Sequence, residues 1–282
     1  MPLWTKVAIL TAALVGVAVW FGQMWQQRAL AALIESVSAP AKGRSSKAPA
    51  TQATVDLPSP VARYLSNVLP PEKKRIRLAR HEQAGTLRTD ARTDRWMSFT
   101  ARQVIAPAYI AFVWDARVSI MPLVHLRVRD SLVGGRGAGQ VTLLSVIPVG
   151  SAGGSMEMNS GSLHRFLAEA VWYPTALLPS AHLRWEPIDE ARALATLTRD
   201  GISVSLEFRF SQDNEVVGIY SLGRWGSFDG GYKRVAWEGK FADYVKHDGV
   251  LVPTRGEVGW YTDGEWRSVW RGTVTQAVLE FE

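Results

Sequence analysis

From Phe112 to the carboxyl end the chain alternates apolar and polar residues with a period of two, and one stretch breaks that rhythm. Phe112, Trp114, Ala116, Val118 and Ile120 alternate with Val113, Asp115, Arg117 and Ser119; Val124, Leu126 and Val128 alternate with His125, Arg127 and Arg129. Ile202, Val204, Leu206, Phe208 and Phe210 oppose Ser203, Ser205, Glu207 and Arg209 in the same way. Each run predicts a strand with one dry and one wet face, because successive side chains of a strand point to opposite sides. Further strands are predicted over 140–147, 183–188, 191–198, 215–222, 233–244, 250–261 and 266–281, and a short first strand over 73–80 with Ile76 and Leu78 facing inward. Asp189-Glu190, Asp200-Gly201, Asp213-Asn214, Asp229-Gly230-Gly231, Asp248-Gly249 and Asp263-Gly264 punctuate them as turns. Connections this short join neighbours, so about ten strands form an antiparallel meander, and a sheet that wide must curl.

The exception is Ser162 to Pro179, where Leu163, Phe166, Leu167, Ala170 and Val171 fall on one helical stripe. Asn159, Ser160 or Ser162 would cap this helix, and Pro174 would end it after Tyr173. A shorter helix, opened by proline, is predicted over 56–69 with Val61, Tyr64, Leu65 and Val68 on one face. The expected fold is therefore mainly β: a curved antiparallel half-barrel covered by one central helix.

At the amino end, Leu3 to Met24 is apolar except for Lys6 and a few small or amide residues, with Trp4, Trp20 and Trp25 near its ends. At about 1.5 Å per residue it is long enough for a hydrocarbon core of roughly 30 Å. A transmembrane anchor is expected over a cleaved signal peptide, since Gly22 leads into Gln23, Met24 and Trp25 rather than a small-residue cleavage site. Three segments follow: anchor and flank 1–37, a flexible small-residue linker 38–55, and the half-barrel domain 56–282. The weak charge asymmetry favours an inside amino terminus and an extracytoplasmic, periplasmic domain.

The formal net charge is +6, but residues 1–55 carry +4 of it, so the folded part is close to neutral and gives no footprint for nucleic acid. With no cysteine, thiolate metal sites and cysteine nucleophiles are excluded. The five histidines have no ligand spacing; His81-Glu82 begins a zincin pattern that fails at Gly85. Gly134 to Gly139 lacks phosphate-loop spacing and reads as a hairpin turn, and no G-x-S-x-G elbow exists. No metal, cofactor or catalytic residue is assigned, and a carboxylate-dependent hydrolase using Glu169 and Glu257 stays open.

Twelve tryptophans are an unusual number, and all but Trp4, Trp20 and Trp25 lie in the folded part. Most serve packing, yet a curved sheet holding so many large side chains beside a helix can also retain an apolar pocket. The candidate ligand-binding residues are Arg165, Glu169, Trp172, Tyr173, Trp237, Arg255, Glu257 and Trp260. Arg165 and Glu169, four apart, either form a surface pair or orient a ligand's polar end at the rim of a cavity.

Leu167 to Ser180, Arg127 to Ser131, Trp237 to Tyr244 and Val252 to Trp260 resemble an uncharacterised bacterial domain-of-unknown-function family over about Leu57 to Phe281. More coarsely, the order of strands, single helix and strands is similar to the half-barrels of lipoprotein-localisation factors and related periplasmic lipid carriers. That likeness implies a module that binds or transfers a membrane lipid or another apolar molecule at the cell envelope. A structural or partner-binding module of an envelope assembly, its protein partner unnamed, is the remaining alternative.

Overall fold

A computed structural model describes residues 2–42, 57–72 and 74–282. Most of the stretch read as linker, and Lys73 of the first predicted strand, lie outside the described residues.

Thirteen strands form one antiparallel sheet. In chain order they are β1 (Ile76–Leu87), β2 (Met97–Ala106), β3 (Ala111–Met121), β4 (Val124–Val133), β5 (Arg136–Leu143), β6 (Ile147–Gly153), β7 (Leu183–Asp189), β8 (Arg192–Arg199), β9 (Ile202–Phe210), β10 (Val216–Phe228), β11 (Gly231–His247), β12 (Val250–Thr262) and β13 (Glu265–Phe281). Across the sheet the order is β6-β5-β4-β3-β2-β1-β13-β12-β11-β10-β9-β8-β7. Two meanders thus meet where the first strand pairs with the last. The Asp-Gly turns at 200–201, 229–230, 248–249 and 263–264 have positive φ at both residues, the twist that matches tight hairpins.

The segment from β6 to β7 joins the two outermost strands by crossing the concave face. It contains α3 (Met156–Glu169), a 3-10 turn over Ala170–Trp172 and another over Pro174–Leu177. α3 touches β4 and β5 on one arm and β9 and β10 on the other. It starts six residues upstream of Ser162, and its cap is Ser155 in place of Asn159, Ser160 or Ser162: the Ser155 hydroxyl accepts from the Met158 amide at 3.2 Å. Glu157, Asn159, Ser160 and Gly161 hide that first half from a search for apolar periodicity. The small residues allow close docking, since a Cβ on Gly137 of β5 would lie 2.6 Å from the Met158 carbonyl. The α-helix gives way at Ala170, ahead of Tyr173, whose φ of −142° and ψ of 65° lie outside the helical region, as suits a residue preceding proline. The shorter helix, α2 (Ser59–Val68), buries Val61, Tyr64, Leu65 and Val68 as expected.

The amino-terminal helix, α1 (Leu3–Lys42), runs five residues into the predicted linker. Its second half packs on the convex face of β1 to β3, where Val37 and Ala41 meet Leu78, Val104, Ala106, Ala111 and Val113 in a second small core. Burying each larger aliphatic there contributes about 1.5–3 kcal/mol. This corrects the reading of Ile76 and Leu78 as neighbours on one face. A bulge between them sends Ile76 to the main core and Leu78 to the core under α1. The first half of α1 exposes Leu3, Trp4, Val7, Ile9, Leu10, Val17, Trp20 and Phe21. Among the described residues, no helix is long and apolar enough to cross a membrane, so the spanning anchor expected from the sequence lacks that support.

Candidate ligand-binding cavity

Beneath α3 the concave face is not filled. A cavity of about 350 Å³ lies between α3 and the middle of the sheet, walled by Leu126, Val128, Trp172, Trp237, Val258 and Trp270. Its volume falls in the ordinary range of small-molecule pockets, roughly 300–1,000 Å³. The indoles form walls without closing the space: Trp172 and Trp270 stand with ring centres 6.3 Å apart, and Trp172 meets Phe241 edge-on at 6.0 Å.

One end of the cavity is charged. Asp130 on β4, Arg165 and Glu169 on α3, and Arg224 on β10 line it. Arg165 holds both carboxylates, donating from Nε to Glu169 Oε1 at 2.7 Å and from Nη1 to Asp130 Oδ2 at 2.7 Å. A relay of amides extends into the core: Gln103 Nε2 donates to Glu169 Oε2 at 2.6 Å, Gln83 Nε2 to Gln103 Oε1 at 3.1 Å, and Trp114 Nε1 to Gln83 Oε1 at 2.8 Å. The Trp114 ring supports the Arg165 guanidinium from 4.7 Å. Burial raises the Asp130 carboxyl above its ordinary range, with Arg165 opposing. Beside the cluster, burial and the charge of Arg224 hold His164 neutral, with its pKa lowered to about 3.

Asp130, Arg165 and Arg224 also border a second hollow, a surface groove of about 450 Å³ with Met158, Trp225, Tyr232 and Trp260 on its sides. The charged residues thus form a collar between an outer groove and an inner apolar chamber. Apolar volume with a polar collar can take up a molecule that has one greasy and one polar end.

The eight residues expected from the sequence divide. Arg165, Glu169, Trp172 and Trp237 line the cavity, and Trp260 lines the groove. Tyr173 is fully buried, its hydroxyl donating to the Phe166 carbonyl at 2.7 Å, so it fixes the end of α3 instead of meeting a ligand. Arg255 and Glu257 alternate with Gly256 and Val258 of the cavity wall and therefore project from the opposite face. There Arg255 pairs with Asp243 at 3.2 Å and Glu257 with Arg271 at 2.7 Å, both near solvent. Glu169 and Glu257 stand on opposite sides of the sheet, which removes the geometric motive for a carboxylate pair. Among the described residues, no cluster of three or more His, Asp or Glu side chains could hold a metal ion. Sequence reasoning missed Asp130, Trp114, Trp270 and Arg224 as cavity residues.

A family described as of unknown function, DUF6544, matches residues 47–272. The chain belongs to the DUF6544 family. That span takes in the whole cavity, as the resemblance carried by Leu167 to Ser180 and Trp237 to Tyr244 implied. No curated protein matches the sequence. Among solved structures, this DUF6544 chain is similar to a LolA superfamily protein from Nitrosomonas europaea, at 11% identity and a TM-score of 0.37, covering 78% of this chain and 92% of that one. The coarse likeness to lipoprotein-localisation-factor half-barrels extends that far.

Proposed function

We propose that this chain is a membrane-associated binding module that holds an apolar or amphipathic molecule, such as a lipid, between its curved sheet and α3, at the cell envelope. The observation that carries this reading is the unfilled volume of about 350 Å³ under α3, walled by aromatic and aliphatic side chains. A sheet built only as a scaffold gains stability by filling such a space. Among the described residues that line the cavity no nucleophile stands beside a base, and the buried Ser221 hydroxyl, 3.4 Å from His164 Nε2, is not part of its wall, so binding is favoured over turnover.

Two features support apposition to a bilayer. The first half of α1 exposes an apolar surface from Leu3 to Phe21, and Gly22 beyond it packs against Val146 in the turn between β5 and β6. Near that turn, Ile147 and Val149 are exposed, and at the tip of the β3–β4 hairpin so are Met121 and Leu123, the latter 94% exposed. Such residues are costly in water and suited to an interface. In this reading the first half of α1 lies in the membrane, with an inside amino terminus and the half-barrel on the extracytoplasmic side.

Indole quenching tests the cavity. In the full chain carrying Phe at positions 4, 20 and 25, a brominated acyl ligand is expected to quench the emission of Trp172, Trp237 and Trp270, and Val258→Phe, which narrows the chamber, to weaken that quenching several-fold. Absence of quenching, or quenching indifferent to Val258→Phe, overturns the reading. For the membrane, the double substitution Leu10→Arg and Val17→Arg is expected to release the chain from membranes on alkaline extraction. Retention would show that α1 is not the attachment.

A further inference from the structure

The two arginines of the collar are not equivalent. Arg165 takes both nearby carboxylates. Among the described residues Arg224 forms no ion pair; its one hydrogen bond runs from Nη2 to the Gly161 carbonyl at 3.1 Å, and its Nε has no acceptor. A guanidinium carries five N–H donors, so most of its capacity is unused. Its plane is nevertheless fixed, with the Cζ 4.7 Å from the Trp237 ring centre and 5.1 Å from that of Trp260. Rings on its faces leave the edge of the fork free.

The backbone aims this side chain deliberately. The pairing of β10 with β11 slips between Ser221 and Arg224, so both residues face the concave side, while Leu222 between them is turned out to solvent. Bulges that re-aim one side chain are over-represented beside functional sites. Burial and the nearby Arg165 lower the Arg224 pKa to about 10, with the charges of Glu169 and Asp130 opposing, which leaves it charged at neutral pH.

Two further donors point the same way. Trp172 Nε1 and Trp237 Nε1 are buried and have no acceptor among the described residues, and both rings line the chamber with Arg224. Three lone groups in one cavity are all donors. Their complement is a group with acceptors only, and a carboxylate or phosphate fits the edge of a guanidinium with two parallel bonds.

We propose that Arg224 binds the anionic head, carboxylate or phosphate, of a single-chain amphiphile whose tail occupies the cavity. This rests on the reading of the cavity as a binding chamber and adds the chemical class of the ligand. The head sits at the collar and the tail lies against Trp172 and Trp270.

The test uses the full chain in neutral detergent, with Trp4, Trp20 and Trp25 replaced by Phe, and four probes: dibromostearate, the uncharged dibromostearyl alcohol, a brominated lysophosphatidate, and inorganic phosphate as a competitor. Quenching is expected at least about tenfold tighter for the better of the two anionic ligands than for the alcohol, the scale of a hydrogen bond to a charged group. Arg224→Gln is expected to erase the difference, and Arg224→Lys to restore part of it. Which of stearate and lysophosphatidate binds more tightly identifies the head as carboxylate or phosphate. Equal binding of acid, lysophosphatidate and alcohol in the unsubstituted collar overturns the role of Arg224 and leaves the chamber standing, even if Arg224→Gln fails to fold. Failure of every lipid probe overturns the chamber itself. Displacement of lysophosphatidate by equimolar inorganic phosphate would mean an anion site with no place for a tail.

Discussion

The same residue types build two clusters on opposite faces of one sheet, and their surroundings differ. Inside, Arg165 holds Asp130 and Glu169 beneath α3, with its side chain 20% exposed; outside, Arg271 holds Glu257 with its side chain 55% exposed. The distances are alike at 2.7 Å, so geometry does not tell them apart. What separates them is the cost of losing a partner. A charge stripped of its counter-ion in the interior stays unsolvated, whereas one at the surface is taken up by water and salt.

The largest test of that difference removes the inner cation. Arg165→Met leaves Asp130 without its donor and Glu169 with Gln103 alone beside an apolar chamber, and is expected to destabilise the fold by about 3–5 kcal/mol in urea unfolding of the full chain in detergent. A loss below about 1 kcal/mol would mean that water reaches the collar freely.

Next comes acid. Burial lowers the pKa of His81, aided by His247, to about 3, and that of His164, aided by Arg224, to about 3 as well. A histidine whose folded pKa lies below its unfolded value of about 6.5 binds fewer protons when folded, so stability falls as pH drops through the window from about 6.5 to 3. Each contributes a slope of at most ~1.4 kcal/mol per pH unit. Asp130 acts oppositely, because its raised pKa makes the folded state the better proton acceptor just above the ordinary carboxylate range. Neither ring nitrogen of His81 has a partner among the described residues, so His81→Leu is expected to flatten the acid limb without loss at neutral pH. An unchanged slope would show that other groups carry the acid sensitivity.

The smallest effect belongs to the outer pair. Arg271→Met or Glu257→Gln is expected to change stability by no more than about 1 kcal/mol, and less in high salt. A loss comparable to that of Arg165→Met would erase the distinction between the faces.

The arrangement of strands was legible wherever one face is dry and the other wet, as in β3 and β9, and wherever an Asp-Gly pair marks a turn. Strand β2 escaped notice because Gln103 interrupts its inner face to serve the relay, while Val104 and Ala106 on its outer face are buried under α1. Edge strand β6 escaped too: all its residues are exposed, so the serines and glycines of 150–155 read as a loop. In the cavity, Arg165 and Glu169 are legible because they share a helix whose period shows, and Trp172 because it follows in the same apolar run. Arg224 was invisible, since the slip in β10 that turns it inward leaves no mark beyond Leu222-Gly223, and alternation assigns it to the wrong face.

The pairing of β1 with β13 has a consequence for synthesis. Because the seam joining the two meanders lies mid-sheet, the first arm is complete some hundred residues before its permanent neighbour leaves the ribosome. Until then β1 presents a row of bare amides and carbonyls, an open invitation to pair with another chain. Maturation is therefore a late, all-or-nothing zippering, and truncating even the final strand is expected to yield aggregates in place of a smaller folded domain.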